Sequence, residues 1–149
     1  MMLKIAVFPG SFDPFTKGHQ QIVEKMLALF DKIIVGVGEN SGKNGLFSTE
    51  QRKKRIEEVF SEEPKVSVDI YSGLTVDFCR RKQVLYIVRG LRSFLDFEYE
   101  KEMALFNKNL APEIETIFVL SAPELAHISS SNYREILNCC PEKAQEMLP

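Results

Sequence analysis

Cysteine, histidine and net charge are all scarce in this chain, and each scarcity removes a class of protein. The three cysteines, Cys79, Cys139 and Cys140, are odd in number and two are sequence neighbours, a poor geometry for bridging, so no disulfide framework is expected. His19 and His127 are the only histidines, and no zinc-ligand spacing can be assembled from them. Nineteen basic against 21 acidic residues leave a net charge of −2. Nucleic acid and anionic membrane surfaces require a basic face, so neither is expected as a partner. A small anion held by a few local cations remains compatible. No apolar run approaches the roughly 20 residues of a membrane span, and the run from Ile5 to Phe8 stops at Pro9-Gly10, too short for a signal core. A reducing cytoplasm is the expected compartment.

What is present is ordinary globular material. With 149 residues, 44% of them hydrophobic and 27% charged, the chain is expected to form one domain over residues 1–149 and to bury about 68–70% of its unfolded surface without staples. No internal repeat or linker divides it.

Short apolar runs alternate with helical periodicity from end to end. Leu3–Phe8, Lys32–Val37, Val66–Ile70, Leu85–Val88 and Thr116–Leu120 read as strands. Between them lie helical patterns: Ile22 to Phe30, Ser48 to Phe60 with Gln51 completing a capping box, Thr75 to Arg81, and Ser93 to Leu110 before Pro112. A terminal helix is expected from Ser131 or Asn132, with Glu135 as its capping-box partner, and a last turn from Pro141. This order predicts an α/β, doubly wound parallel sheet with its site at the carboxyl ends of the strands.

Three segments follow strand candidates there. In Pro9-Gly10-Ser11-Phe12-Asp13-Pro14-Phe15-Thr16-Lys17-Gly18-His19, glycine and proline force a tight path and place His19 at a helix start. Free N–H groups and the helix dipole favour an anion at such a place; a plain surface histidine is the alternative. In Val88-Arg89-Gly90-Leu91-Arg92-Ser93, two arginines in a turn can face one pocket and bind phosphate bidentately, or can simply be solvated. Ile128-Ser129-Ser130-Ser131 offers hydroxyls and helix-start N–H groups, which also serve as ordinary caps. The Gly36–Lys43 loop has neither P-loop spacing nor a complete dinucleotide fingerprint. Glu98 and Glu100, two apart, are expected on different helix faces rather than as a catalytic pair. Phe94, Phe97 and Phe106 have helical spacing and are expected in a core or a subunit interface, and Cys139 and Cys140 are read as incidental or partly buried.

Taken together, these blocks resemble the bacterial phosphopantetheine adenylyltransferase family of the nucleotidyltransferase superfamily. The signature T/H-x-G-H is matched by Thr16-Lys17-Gly18-His19, and Gly10-Ser11-Phe12-Asp13-Pro14, Arg89-Gly90-Leu91-Arg92, Asp96-Phe97-Glu98-Tyr99-Glu100 and Ile128-Ser129-Ser130-Ser131 follow in the family's order over nearly the whole chain. The resemblance implies a Rossmann-like fold and adenylyl transfer from ATP to 4′-phosphopantetheine with magnesium, giving dephospho-coenzyme A and pyrophosphate. It implies that Ser11 and His19 contact the ATP phosphates, with His19 catalytic, and that Phe12, Gly90, Leu91, Arg92 and Glu100 belong to the ATP site. Leu125, Ala126, His127, Ile128, Ser129, Ser130 and Ser131 would receive adenine and phosphates. Ser11, Lys43 and Arg89 would hold the phosphate of phosphopantetheine, with Leu74 and Thr75 along the pantetheine channel. A homohexamer and feedback binding of coenzyme A are further implications. Three features depart from the family pattern: Asn44-Gly45 precedes Leu46-Phe47 where proline is frequent, His127 replaces an aromatic, and the tail after Asn138 is short. The nearest rivals are a transferase for nicotinate mononucleotide or glycerol phosphate, and a non-catalytic nucleotide sensor.

Overall fold

A computed structural model describes residues 2–39 and 45–149. Strands β1 (Ile5–Gly10), β2 (Lys32–Gly38), β3 (Val66–Tyr71), β4 (Tyr86–Leu91) and β5 (Glu115–Leu120) form one parallel sheet in the order β3-β2-β1-β4-β5. Helices α1 (Lys17–Met26), α2 (Thr49–Val59), α3 (Thr75–Lys82) and α4 (Phe94–Leu110) connect them. A 3₁₀ turn at Pro123–Leu125, α5 (Ser130–Leu137) and α6 (Pro141–Gln145) complete the chain. The doubly wound sheet expected from the alternation is therefore present.

The core has two sides. On one, Ile22, Val23 and Met26 of α1 and Ile56 of α2 pack against Ala6, Phe8, Ile33 and Val35. On the other, Val76, Phe78 and Cys79 of α3 meet Val7, Ile34 and Ile87, with Ala111 and Ile114 beyond α4. Because strand order reverses between β1 and β4, α1 and α4 leave toward opposite faces and a crevice opens between them. The register shows how. Strand β1 pairs with β2 as far as Gly10↔Val37, but with β4 only at Ala6↔Tyr86 and Val7↔Ile87. Pro9 has no N–H to offer a neighbouring strand, and its carbonyl accepts instead from Arg89 Nη1 at 2.5 Å.

Some boundaries differ from the expectation. Strand β4 continues through Leu91, so Arg89 and Gly90 lie within the strand rather than in a loop after it. Helix α5 begins earlier than expected: Ser129 is its cap, accepting the Asn132 N–H at 3.0 Å. Phe94 and Phe106 are exposed, which removes them from the core, while Phe97 packs edge-on against Phe118. Cys139 and Cys140 are exposed rather than partly buried, and Cys79 is buried. No described helix is long and apolar enough to cross a membrane.

Ile33 is fully buried in the middle of the sheet. Ile33→Ala is expected to lower unfolding free energy by about 3 kcal/mol, read as a reduced urea midpoint at unchanged slope; a loss under about 1 kcal/mol would show that this packing is not continuous.

Candidate active site

The segment after β1 is built around three phenylalanines. Phe12 adopts a left-handed backbone (φ 51°) and folds its ring back over Gly10, where a Cβ would lie 2.9 Å from that ring, so only glycine fits. Phe8, Phe12 and Phe15 surround the His19 imidazole at centroid distances of 6.2, 5.0 and 5.4 Å. Phe12 is thus a buried support for His19 rather than a wall of the cleft. Thr16 caps α1 reciprocally: its hydroxyl accepts the His19 N–H at 3.5 Å, and its own N–H donates to His19 Nδ1 at 3.0 Å. With Nδ1 accepting, the neutral ring carries its proton on Nε2. Burial, reinforced by the charges of Arg89 and Arg92, pushes the His19 pKa from 6.5 down to about 3. A neutral donor therefore stands among cations. The expected free N–H groups at this helix start are only partly available, since the Lys17 N–H donates to Met147 C=O at 2.9 Å.

Other elements hold the same segment by its backbone. Arg52 of α2 donates through Nη1 to Ser11 C=O at 2.5 Å and through Nε to Phe47 C=O at 3.1 Å. The Asp13 carboxylate accepts the N–H groups of Leu46 and Phe47 at 2.7 and 2.8 Å. Gly45 passes so close to Asp13 that a Cβ would lie 2.9 Å from its Oδ2 in this arrangement. From α5, Ser130 Oγ donates to Pro14 C=O at 2.7 Å and Arg134 Nη1 to Asp13 C=O at 2.8 Å.

Two clefts flank the crevice. One is lined by Ser11, Thr16, Gly18, His19, Ile22, Gly90, Arg92, Asp96 and Ile128 through Ser131, with Arg89 and Glu100 at its boundary. The other is lined by Gly10, Ser11, Gly38, Glu39, Tyr71, Thr75, Arg89, Tyr99, Glu100, Met103 and Asn107. Ser11, Arg89 and Glu100 belong to both. Arg89 Nε and Nη2 meet the two Glu100 oxygens at 2.8 and 2.6 Å. Burial alone would lower the arginine pKa, but the Glu100 hydrogen bonds and charge outweigh it and hold the guanidinium above its usual range. Glu100 takes the Nε and one Nη2 proton of Arg89 and Pro9 C=O takes one Nη1 proton, which leaves one N–H on each terminal nitrogen for an anion. Arg92 is steadied at the start of α4 by Asp96, which accepts its N–H at 2.9 Å and lies 3.3 Å from its Nε.

The structure thus brings together Ser11, His19, Gly90, Arg92, Glu100 and Ile128 to Ser131 on one side, and Ser11, Thr75, Arg89 and Glu100 on the other. Leu91 is a buried strand residue. Leu74 is exposed at the cap of α3, and neither cleft is lined by Leu125, Ala126 or His127; His127 instead borders a separate hollow with Cys140 and Met147. Lys43 lies outside the described residues. Glu98 pairs with Lys101, apart from Glu100, as the spacing requires. Sequence reasoning missed Tyr71, whose hydroxyl lies 2.9 Å from that of Thr75 and whose pKa is raised by burial. It also missed the clamps Asp13, Arg52 and Arg134. Thr16-x-x-His19 is capping-box spacing with histidine in the place of glutamate, a signal that the sequence does carry.

A parallel sheet with phosphate-compatible donors at its switch point defines the class of nucleotide-binding α/β proteins. Residues 7–136 match the family model described as cytidylyltransferase-like. Among curated relatives, phosphopantetheine adenylyltransferase from Clostridium tetani is 46% identical over 134 residues, covering 90% of this chain and 84% of its own. The enzyme of that name from Flavobacterium johnsoniae is 47% identical over 135 residues, covering 91% and 88%. The chain belongs to the phosphopantetheine adenylyltransferases within the cytidylyltransferase-like family. Among solved structures, a bifunctional NMN adenylyltransferase/ADP ribose pyrophosphatase from Francisella tularensis superimposes with TM-score 0.72 at 21% identity, covering 99% of this chain and 45% of that one. Plasmodium falciparum nicotinic acid mononucleotide adenylyltransferase gives 0.71 at 15%, covering 99% and 91%. At these identities the likeness is one of fold.

The His19 environment has a consequence for stability. As pH falls below 6.5 the unfolded chain protonates this histidine, while the folded one keeps it neutral to about 3. The native state then binds fewer protons, so stability falls with pH through that window. Between pH 7 and 5 the loss specific to His19 is expected to be on the order of 1–2 kcal/mol. His19→Gln should remove it, so denaturant unfolding at the two pH values should show the variant losing less than wild type; equal losses would contradict the desolvated neutral ring.

Proposed function

We propose that this chain transfers the adenylyl group of ATP to 4′-phosphopantetheine, giving 3′-dephospho-coenzyme A and pyrophosphate, with residues 1–149 acting as one nucleotidyltransferase domain. The observation that carries the reading is the meeting of two clefts at Ser11, Arg89 and Glu100, in a chain whose relatives bear that enzyme's name. ATP occupies the His19 cleft, its phosphates between the His19 Nε2–H, Arg92 and the Ser129–Ser131 helix start. Phosphopantetheine occupies the other, its phosphate toward Ser11, the free N–H groups of Arg89, and Lys43.

The chemistry needs alignment more than a reactive side chain. A phosphate oxygen of phosphopantetheine attacks the α-phosphorus of ATP; one P–O bond forms while the bond to the β-phosphate oxygen breaks, and pyrophosphate leaves. Both reactants are anions, so the protein positions them in line and stabilises the developing charge with fixed donors. His19 suits this as a neutral donor that never has to release or gain a proton. No nucleophile is required, consistent with Cys79 being buried, its thiol pushed up to about 11 by burial.

Magnesium enters with ATP. Among the described residues no group of three His, Cys, Asp or Glu side chains could hold a metal ion, and the cleft carboxylates Glu100 and Asp96 are engaged by Arg89 and Arg92. That donor set does not make a resident site, whereas Mg²⁺ is readily held by substrate phosphates and water, so the ion belongs to the nucleotide substrate. Coenzyme A shares the pantetheine portion of the acceptor and would compete for the second cleft. The apolar exterior of α4, with Phe94, Leu95, Leu105 and Phe106 exposed, supports self-association, read here with the family resemblance as a homohexamer in the cytoplasm.

The test is pyrophosphate release from MgATP with 4′-phosphopantetheine, beside nicotinate mononucleotide and unphosphorylated pantetheine. Only the first acceptor is expected to react; turnover with the mononucleotide but not with phosphopantetheine overturns the assignment. In the same assay His19→Ala should lower kcat about 10²–10³-fold while ATP affinity changes far less. Equal losses in both would contradict its transition-state role.

A further inference from the structure

Lys17 opens α1, and its N–H is one of the four donors a helix leaves without an internal partner. That donor reaches Met147 C=O at 2.9 Å. The Lys17 side chain is exposed and lines neither cleft, so its connection to Met147 runs through its backbone. Met147 is itself fixed: its N–H donates to Ala144 C=O at 3.0 Å, and Ala144 of α6 is fully buried. Immediately beside this bond lies the reciprocal pair in which Thr16 N–H holds His19 Nδ1 and Thr16 Oγ1 accepts the His19 N–H. Any shift at the first residue of α1 moves both partners of that pair.

We infer that residues 141–147 are a positioning element for His19: by taking the Lys17 N–H, the Met147 carbonyl fixes the start of α1 and with it the Thr16–His19 pair that sets the tautomer and direction of the imidazole. The segment touches no reacting atom and acts only through the helix start. The inference rests on the catalytic reading of His19 given above.

Proline at position 17 isolates the bond. It removes the N–H, is well tolerated at the first position of a helix, and follows Thr16, whose extended backbone (φ −113°, ψ 171°) suits a residue preceding proline. Lys17→Ala removes the side chain but keeps the N–H and serves as the reference. Relative to Lys17→Ala, Lys17→Pro is expected to lower kcat at least about fivefold, since small misplacements of a catalytic group cost up to about 10²-fold, with KM for MgATP within about twofold. Ala144→Glu, which unseats α6 and with it the Met147 carbonyl, should lower kcat similarly, and the double variant Lys17→Pro/Ala144→Glu should lose no more than the worse single variant because both act on His19 through the Lys17–Met147 bond.

Equal kcat for Lys17→Pro and Lys17→Ala overturns the inference, as does a multiplicative loss in the double variant. Should Lys17→Pro fail to fold, Ala144→Glu decides alone: unchanged kcat in a folded protein refutes it. Absence of pyrophosphate release by the wild type would instead refute the catalytic reading itself, so the two failures are distinguishable.

Discussion

The site depends on an interruption in the middle of the sheet. Pro9 cannot donate a ladder hydrogen bond, so β1 and β4 pair at only two positions before they part. Arg89 spans the gap, giving one N–H to the Pro9 carbonyl and a two-pronged grip to Glu100 on α4. A single guanidinium therefore ties β1, β4 and α4 together where strand order reverses, and it forms the wall between the two clefts. Truncating Arg89 would leave the nearly buried Glu100 carboxylate poorly compensated, which is costlier than loss of an exposed ion pair. It fixes the geometry, and its remaining N–H groups lie where the two clefts meet.

Around this wall the electrostatics are divided by residue type. Desolvation among the surrounding phenylalanines, aided by the nearby Arg89 and Arg92 charges, keeps His19 neutral. Two anionic phosphates can then be brought together against permanent positive charge, with a hydrogen-bond donor whose protonation does not vary near neutrality. The backbone clamps from Arg52, Arg134, Ser130 and Met147 serve the same end. They hold the segment after β1 from several elements at once, so that its donors are in place before substrate arrives.

Much of this is legible in the sequence. The alternation of apolar runs and helical periods specifies the doubly wound sheet because buried parallel strands leave an uninterrupted apolar signal. The end of β4 is hidden because Arg89 breaks that signal; a half-buried arginine within a strand is intelligible only once Glu100, eleven positions on, is known to face it. The start of α5 is ambiguous because Ser129, Ser130, Ser131 and Asn132 are all good caps, and only the three-dimensional path selects Ser129. The residues of both clefts are identified largely through family resemblance, whereas the clamps are not, since backbone carbonyls of Ser11, Asp13 and Met147 carry no mark of their partners in the sequence. Phe94 and Phe106 keep a helical period without being core, because α4 presents apolar residues outward.

The central claim is that the two clefts deliver their phosphates to each other directly, with no side chain intervening covalently. The most direct measurement is the stereochemical course at the α-phosphorus, followed with a nucleotide made chiral there by sulfur and oxygen-isotope substitution and 4′-phosphopantetheine as acceptor. A single in-line displacement between the clefts predicts inversion of configuration in the dephospho-coenzyme A product. Retention would mean two displacements through an adenylylated side chain, and would contradict the account of a site that works by alignment.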